Sequence, residues 1–280
     1  MNMTHFITSA DGTQIAYETA GSGQPLILVG GALSSREFDK RSGLVQELAE
    51  RFQVIYYDRR GRGDSGDTRP YAIEREIEDI DALIDGVGGS AYLYGMSSGG
   101  VLALHAANVL HSKVTKLALY EPPLILDTQF RTVPENYSDL LQAANDESNR
   151  DKAVSTFMTV ALGIPEEYLD FMRQSAPIDP NDGGVQPPTW AEMEAVAHTL
   201  IYDAYIMEGL QVGKPLAAKM WQHINMPTLI VTGAESDPFF AHAATTLVDR
   251  FENAQHITLA NENHNVSPEV LAPVLHNFFI

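Results

Sequence analysis

The sequence predicts an α/β architecture, a mostly parallel sheet covered by helices on both faces. Three observations carry this. Short apolar runs of strand length alternate with segments of helical period up to Glu121. From about residue 122 to 225 no convincing strand is found, and the alternation resumes at Thr228. Two of the apolar runs end in glycine, at Gly30-Gly31 and at Gly95. The division expected is a core of residues 1–121 and 226–280, with 122–225 as a helical cap over the C-terminal edge of the sheet. That edge is where ligands bind in open α/β folds.

The elements follow in order. Asp11-Gly12 reads as a hairpin turn between two N-terminal strands, the second holding Ile15-Ala16-Tyr17. Pro25 to Val29 is a buried strand. Gly43 to Arg51, with Leu44, Val45 and Leu48, is a short amphipathic helix, and Val54 to Tyr57 a strand running into Asp58. Ile73, Ile77, Ile80, Leu83 and Ile84 share one helical face. Ala91 to Tyr94 is the fifth strand, Ser98 to about Leu110 a helix, and Val114 to Tyr120 the sixth strand. The inserted segment predicts helices over Ala153–Leu162, Glu166–Gln174 and Trp190–Glu208, the last opened by a capping box of Thr189 and Glu192. A loop rich in helix breakers, 177–184, lies between them. Thr228–Val231 and His256–Leu259 are the last two strands, separated by a helix over Phe239–Phe251. Ser267-Pro268 opens a final helix, Ser suiting the N-cap and Pro the first helical position.

Composition narrows the function classes. The 280 residues are 44% hydrophobic and 20% charged, an ordinary globular balance. A net charge of −19 repels a phosphate backbone and argues against nucleic-acid binding. The absence of cysteine excludes disulfides, thiolate nucleophiles and cysteine-based metal sites. No apolar run reaches the ~18 residues that cross a membrane. The first residues carry no basic segment followed by an apolar one, so a cytoplasmic protein without a membrane partner is expected.

The strongest chemical signal is Gly95-Met96-Ser97-Ser98-Gly99, a G-x-S-x-G between a strand and a helix. A serine on so sharp a turn is pushed out at the sheet edge in a strained conformation. Glycines two residues to either side let neighbouring backbone approach. Only Ser97 has glycine on both sides at that spacing. The amide of Ser98, at the start of the following helix, can donate to an oxyanion.

With these motifs the chain resembles the α/β-hydrolase superfamily over essentially its whole length, in its serine-nucleophile, esterase- and lactonase-like branch. Asp58-Arg59-Arg60-Gly61-Arg62-Gly63-Asp64-Ser65 is similar to the D-x-R-G-x-G-x-S loop after the family's fourth strand. Gly95 to Gly99 is similar to its nucleophile elbow, and Gly30-Gly31-Ala32-Leu33 takes the place of its His-Gly oxyanion loop, with Gly30 where many members carry His. The resemblance implies an oxyanion amide at Ala32, with Gly31 next in line. It implies a base at His264, in the loop before the final helix. The remaining eight histidines read as structural or exposed. Two acids compete to orient the imidazole. Asp237 follows the seventh strand, where most members carry the acid, but it stands four residues after Gly233 rather than three. Glu121 ends the sixth strand before Pro122-Pro123, a position certain branches use, and a carboxylate buried there needs a partner. Glu121 is preferred, and Asp237, which could equally cap the next helix, stays open.

No H-E-x-x-H and no close His/Asp cluster points to a metal, and no G-x-G-x-x-G follows the first strand, so no cofactor is expected. Arg59-Arg60-Gly61-Arg62 could suggest phosphate binding but sits in the family's structural loop. The function expected is hydrolysis of a small, neutral, fairly hydrophobic ester or lactone through an acyl-enzyme. The alternatives are a small-molecule receptor on the same fold, a cofactor-free haloperoxidase or perhydrolase, and a C–C hydrolase. Aspartate-nucleophile dehalogenases and epoxide hydrolases are disfavoured by Ser97.

Overall fold

A computed structural model describes residues 3–175 and 187–280. β1 (His5–Thr8) and β2 (Gln14–Ala20) form the expected hairpin, turning at Gly12 with φ +87°. β3 (Gln24–Val29), β4 (Phe52–Tyr57), β5 (Ala91–Met96), β6 (Val114–Tyr120), β7 (Thr228–Gly233) and β8 (Ala254–Leu259) complete one sheet. Its order is β1-β2-β4-β3-β5-β6-β7-β8. β2 runs antiparallel to β1 and to β4, and every pairing from β4 to β8 is parallel.

Parallel neighbours need crossover helices, and these cover both faces. α3 (Ile73–Gly86), α4 (Ser98–Leu110) and α10 (Pro238–Arg250) bury Ile80, Leu83, Leu102, Leu104 and Leu247 against one face. α2 (Leu44–Ala49) and α11 (Pro268–Phe279) bury Val45, Leu48, Leu271, Leu275 and Phe279 against the other. The strands between two apolar layers read as unbroken apolar runs, which made them legible.

Between β6 and β7 the described residues hold α5 (Tyr137–Asp146), α6 (Arg150–Thr156), α7 (Leu169–Gln174), α8 (Trp190–Val196) and α9 (Leu200–Ile206). They build a separate apolar cluster around Leu141, Val154, Met193 and Tyr202, which also takes in Leu33 from the loop after β3. The capping box of Thr189 and Glu192 is present. Several expected spans differ. Trp190–Glu208 is broken by a 3-10 turn at Ala197–Thr199, where Thr199 Oγ1 donates to the Val196 carbonyl at 2.8 Å. Residues 157–161 widen into a π turn, and Glu166–Tyr168 is 3-10. α5 and the short α1 (Arg36–Arg41) were not anticipated. The breaker-rich loop 177–184 lies outside the described residues. Among those described, no helix is long and apolar enough to cross a membrane.

The joint between β5 and α4 is set by glycine. A Cβ on Gly95 would stand 2.6 Å from the Gly99 carbonyl oxygen, and one on Gly99 would collide with the Val29 and Gly30 carbonyls. α4 can therefore enter only against bare backbone. Gly99→Ala is expected to lower unfolding free energy by about 1–3 kcal/mol, read from the urea midpoint. An unchanged midpoint would contradict so close an approach.

Candidate active site

Ser97 ends the β5 turn with φ +56° and ψ −132°. A non-glycine residue in that region costs of order 1–3 kcal/mol, held here by the strand before it and the helix after it. Its amide donates to the Tyr120 carbonyl of β6 at 2.9 Å, and its own carbonyl accepts from Gly100 at 2.9 Å. The residue is half-buried and lines a cavity at the C-terminal edge of the sheet.

His264 lines the same cavity. Its Nδ1 lies 2.7 Å from Glu121 Oε2. The other carboxylate oxygen, Oε1, accepts from the Gly233 amide at 2.7 Å. Glu121 is 0% exposed, so both oxygens must be occupied, and both are. Its φ is +46°, and its amide donates to the Val231 carbonyl of β7 at 3.1 Å. The chain thus kinks at the end of β6 while staying bonded to β7. The loop carrying His264 is fixed on both sides. Tyr120 donates its hydroxyl to the Asn263 carbonyl at 2.5 Å, and Glu262 accepts from the Ser267 amide at 2.8 Å. Phe240 stacks on the imidazole with centroids 5.1 Å apart. Asp237, the competing acid, is exposed at the N-cap of α10 and accepts from the Phe239 amide at 3.3 Å. Of the two candidates, the one beside the imidazole is Glu121. No hydrogen bond joins Ser97 Oγ to His264 among the described residues.

Gly31 and Ala32 line the cavity beside Ser97, with Leu33 at φ +62° closing the loop. A Cβ on Gly31 would stand 3.0 Å from both the Met96 carbonyl oxygen and Ser97 Cβ, so this loop and the elbow are in direct contact. Ser98 is buried at the first position of α4, where an amide has no carbonyl four residues back.

Beneath both segments lies a charged scaffold. Asp203 of α9 is 5% exposed. Its Oδ1 accepts from Arg59 Nη1 at 2.7 Å and from Ser98 Oγ at 2.7 Å, and its Oδ2 from Arg62 Nη2 at 2.6 Å. Arg62 Nη1 donates to the Gly31 carbonyl at 2.6 Å, and Arg59 Nη1 to the Gly30 carbonyl at 3.3 Å. One carboxylate from the insert therefore ties the loop after β3 to the first turn of α4. Burial alone would push the Asp203 carboxyl up; the two guanidiniums outweigh it and hold it below the usual range. Arg60 pairs with Asp79 and Asp11, and Arg59 also with Glu76. The basic run is committed to internal ion pairs rather than to a phosphate. Asp203 was missed in the sequence; its one signal is an acid on a helix otherwise burying Leu200, Ile201, Tyr202, Ala204 and Ile206.

The cavity measures about 360 Å³. The insert lines it with Phe157, Met158, Leu162, Ile164, Met172 and Met193, and Asp39 of α1 also lines it. Burial pushes the Asp39 carboxyl up from 3.8 to about 7, and the charge of Asp58 adds to this; Ser34 and Arg62 oppose it. Among the described residues no group of three His, Asp or Glu side chains could hold a metal ion.

Two stability predictions follow from these environments. Asp203→Asn leaves two buried guanidiniums undercompensated and is expected to cost about 3–5 kcal/mol in a denaturant titration; a loss below about 1 kcal/mol would contradict the scaffold. Asp39 resists ionisation more in the fold than in the unfolded chain. Its contribution is full below the unfolded carboxyl range and is lost as pH rises through about 7. Solvent in the cavity screens part of this. Relative to wild type, Asp39→Asn should gain about 1–2 kcal/mol between about pH 5 and about pH 8. A difference independent of pH would contradict the raised carboxyl.

The profile of the alpha/beta hydrolase family matches residues 26–274. An alpha/beta hydrolase from Sphaerobacter thermophilus DSM 20745 is similar in structure, with TM-score 0.86 and 44% identity, over 99% of this chain and 100% of that one. A non-heme haloperoxidase from Rhodococcus erythropolis is 31% identical over 130 residues, 44% of this chain and 47% of the relative. A putative carbamate hydrolase from Azorhizobium caulinodans is 31% identical over 105 residues, 37% of this chain and 39% of the relative. The match to each of these two curated relatives spans less than half of its length. From the profile match and the parallel sheet with its strand-to-helix elbow, the chain belongs to the alpha/beta hydrolase family.

Proposed function

We propose that the protein is a serine hydrolase of carboxylic esters or lactones. The observation that carries the reading is a strained serine sharing a cavity with a histidine whose Nδ1 is paired to a buried carboxylate. A serine hydroxyl is a weak nucleophile until an adjacent base takes its proton. In this reading Ser97 Oγ attacks the substrate carbonyl as His264 Nε2 accepts the proton. Glu121 Oε2 keeps Nδ1 protonated, which leaves Nε2 free as the base, and stabilises the imidazolium. The amides of Ser98 and Ala32, with Gly31 next to them, face the developing oxyanion. One such donor is worth about 3–4 kcal/mol in the transition state. The imidazolium then protonates the leaving alcohol, and water attacks the acyl-serine by the reverse proton path.

The helical insert acts in this reading as a cap over the cavity. Its apolar side chains favour a hydrophobic substrate, and the net charge of −19 disfavours an anionic one. A second reading has one specific support, the similarity to a protein named a non-heme haloperoxidase. There hydrogen peroxide instead of water attacks the acyl-serine, releasing a peracid and the free hydroxyl.

A panel of neutral esters and lactones tests the proposal. Wild type should turn over members of the panel, and Ser97→Ala should lose about 10⁶ in kcat. Comparable turnover by that variant would overturn it. Peracid formed from ester and peroxide at a rate exceeding hydrolysis would favour the second reading.

A further inference from the structure

Several polar groups of the cavity have no part in the chemistry above, and the charged one among them is Asp39. Asp39 is enclosed by protein yet keeps part of its surface accessible, and it lines the cavity. Its Oδ1 accepts a 3.2 Å hydrogen bond from Ser34 Oγ. Its Oδ2 has no protein partner among the described residues. Gly30 stands beside it, and a Cβ there would lie 2.6 Å from Ser34 Oγ and 4.0 Å from Asp39 Oδ2. The bare glycine keeps this corner open. Ser42, Tyr94 and Asn265 also line the cavity, and most of the remaining surroundings are apolar, including Leu28, Phe38, Met96 and Leu271. An accessible carboxyl oxygen that no group of the described residues uses is an acceptor free for a ligand.

We infer that Asp39 and Ser34 form a polar subsite that accepts a hydrogen bond from a hydroxyl carried by the substrate away from its scissile carbonyl. The inference rests on the hydrolase reading and narrows its substrate class to hydroxylated esters or lactones. A carboxylate would be repelled by Asp39 and by the negative protein. An ammonium would have to shed its hydration in an apolar cavity. A hydroxyl both donates and accepts, so it can meet Asp39 ionised or protonated, and that carboxyl titrates near neutrality.

The test uses p-nitrophenyl esters of straight-chain acids and of the same acids bearing a terminal hydroxyl, over a ladder of chain lengths. Each hydroxylated ester is compared with its plain partner as a ratio of kcat/KM, corrected for spontaneous hydrolysis. Wild type should favour the hydroxylated ester about tenfold at one or two chain lengths, through KM, the effect of one hydrogen bond. Asp39→Leu should bring the ratio to about one, Ser34→Ala should reduce it, and Asp39→Asn, which keeps an acceptor, should retain part of it. A flat ratio in wild type, or a preference that survives Asp39→Leu, overturns the subsite. Calorimetric titration of Ser97→Ala with the same ester pairs reads the subsite without turnover. A preference there supports it even if wild type cleaves neither ester, which would defeat only the hydrolase reading; equal binding of both esters overturns it.

Discussion

A carboxylate with no exposed surface must have both oxygens occupied, and Glu121 meets that requirement in a way that assembles the site. Its Oε1 takes the amide of Gly233, the last residue of β7, and its Oε2 takes the His264 imidazole. The left-handed backbone at Glu121 turns the side chain toward that seam. Three segments far apart in the chain thus meet on one buried group: the ends of β6 and β7 and the loop after β8. Desolvation makes the arrangement selective, because an unpaired ion at this depth would cost several kcal/mol.

The second constraint acts on Ser98 and on the loop after β3. The Arg59, Arg62 and Asp203 cluster fixes the Gly30 and Gly31 carbonyls of the loop after β3, so the amides of those peptides have little freedom. Because Asp203 belongs to α9, the insert is bonded into the base of the site as well as lining the cavity above it. Loosening the insert would therefore disturb the loop geometry as well as the pocket shape.

Much of this was legible in the sequence, for identifiable reasons. Gly95, Ser97 and Gly99 stand out because the strand-to-helix turn leaves no room for side chains at the two flanking positions. The sheet was legible because strands covered on both faces are continuously apolar. The acid was not decided by the sequence alone, since Glu121 and Asp237 both follow strands and both have an ordinary structural use. The structure gives Asp237 that use, as a helix cap, and gives Glu121 the imidazole. Asp203 could not be paired in advance, because its partner Arg59 is 144 positions away. Asp39 is one of two acids in the charged stretch 36–41, and only the cavity distinguishes it. The break at Ala197–Thr199 was hidden because Val196 and Leu200 flank it at helical spacing and both are buried.

The central claim is that one imidazole, oriented by Glu121 and not by Asp237, activates Ser97. Covalent labelling by a fluorophosphonate, followed by intact mass and peptide mapping, tests it most directly. A single adduct on the peptide containing Ser97 is predicted, forming about 10⁴-fold more slowly in Glu121→Gln and at close to the wild-type rate in Asp237→Asn. An adduct on another residue, or equal rates in the two variants, would contradict the account.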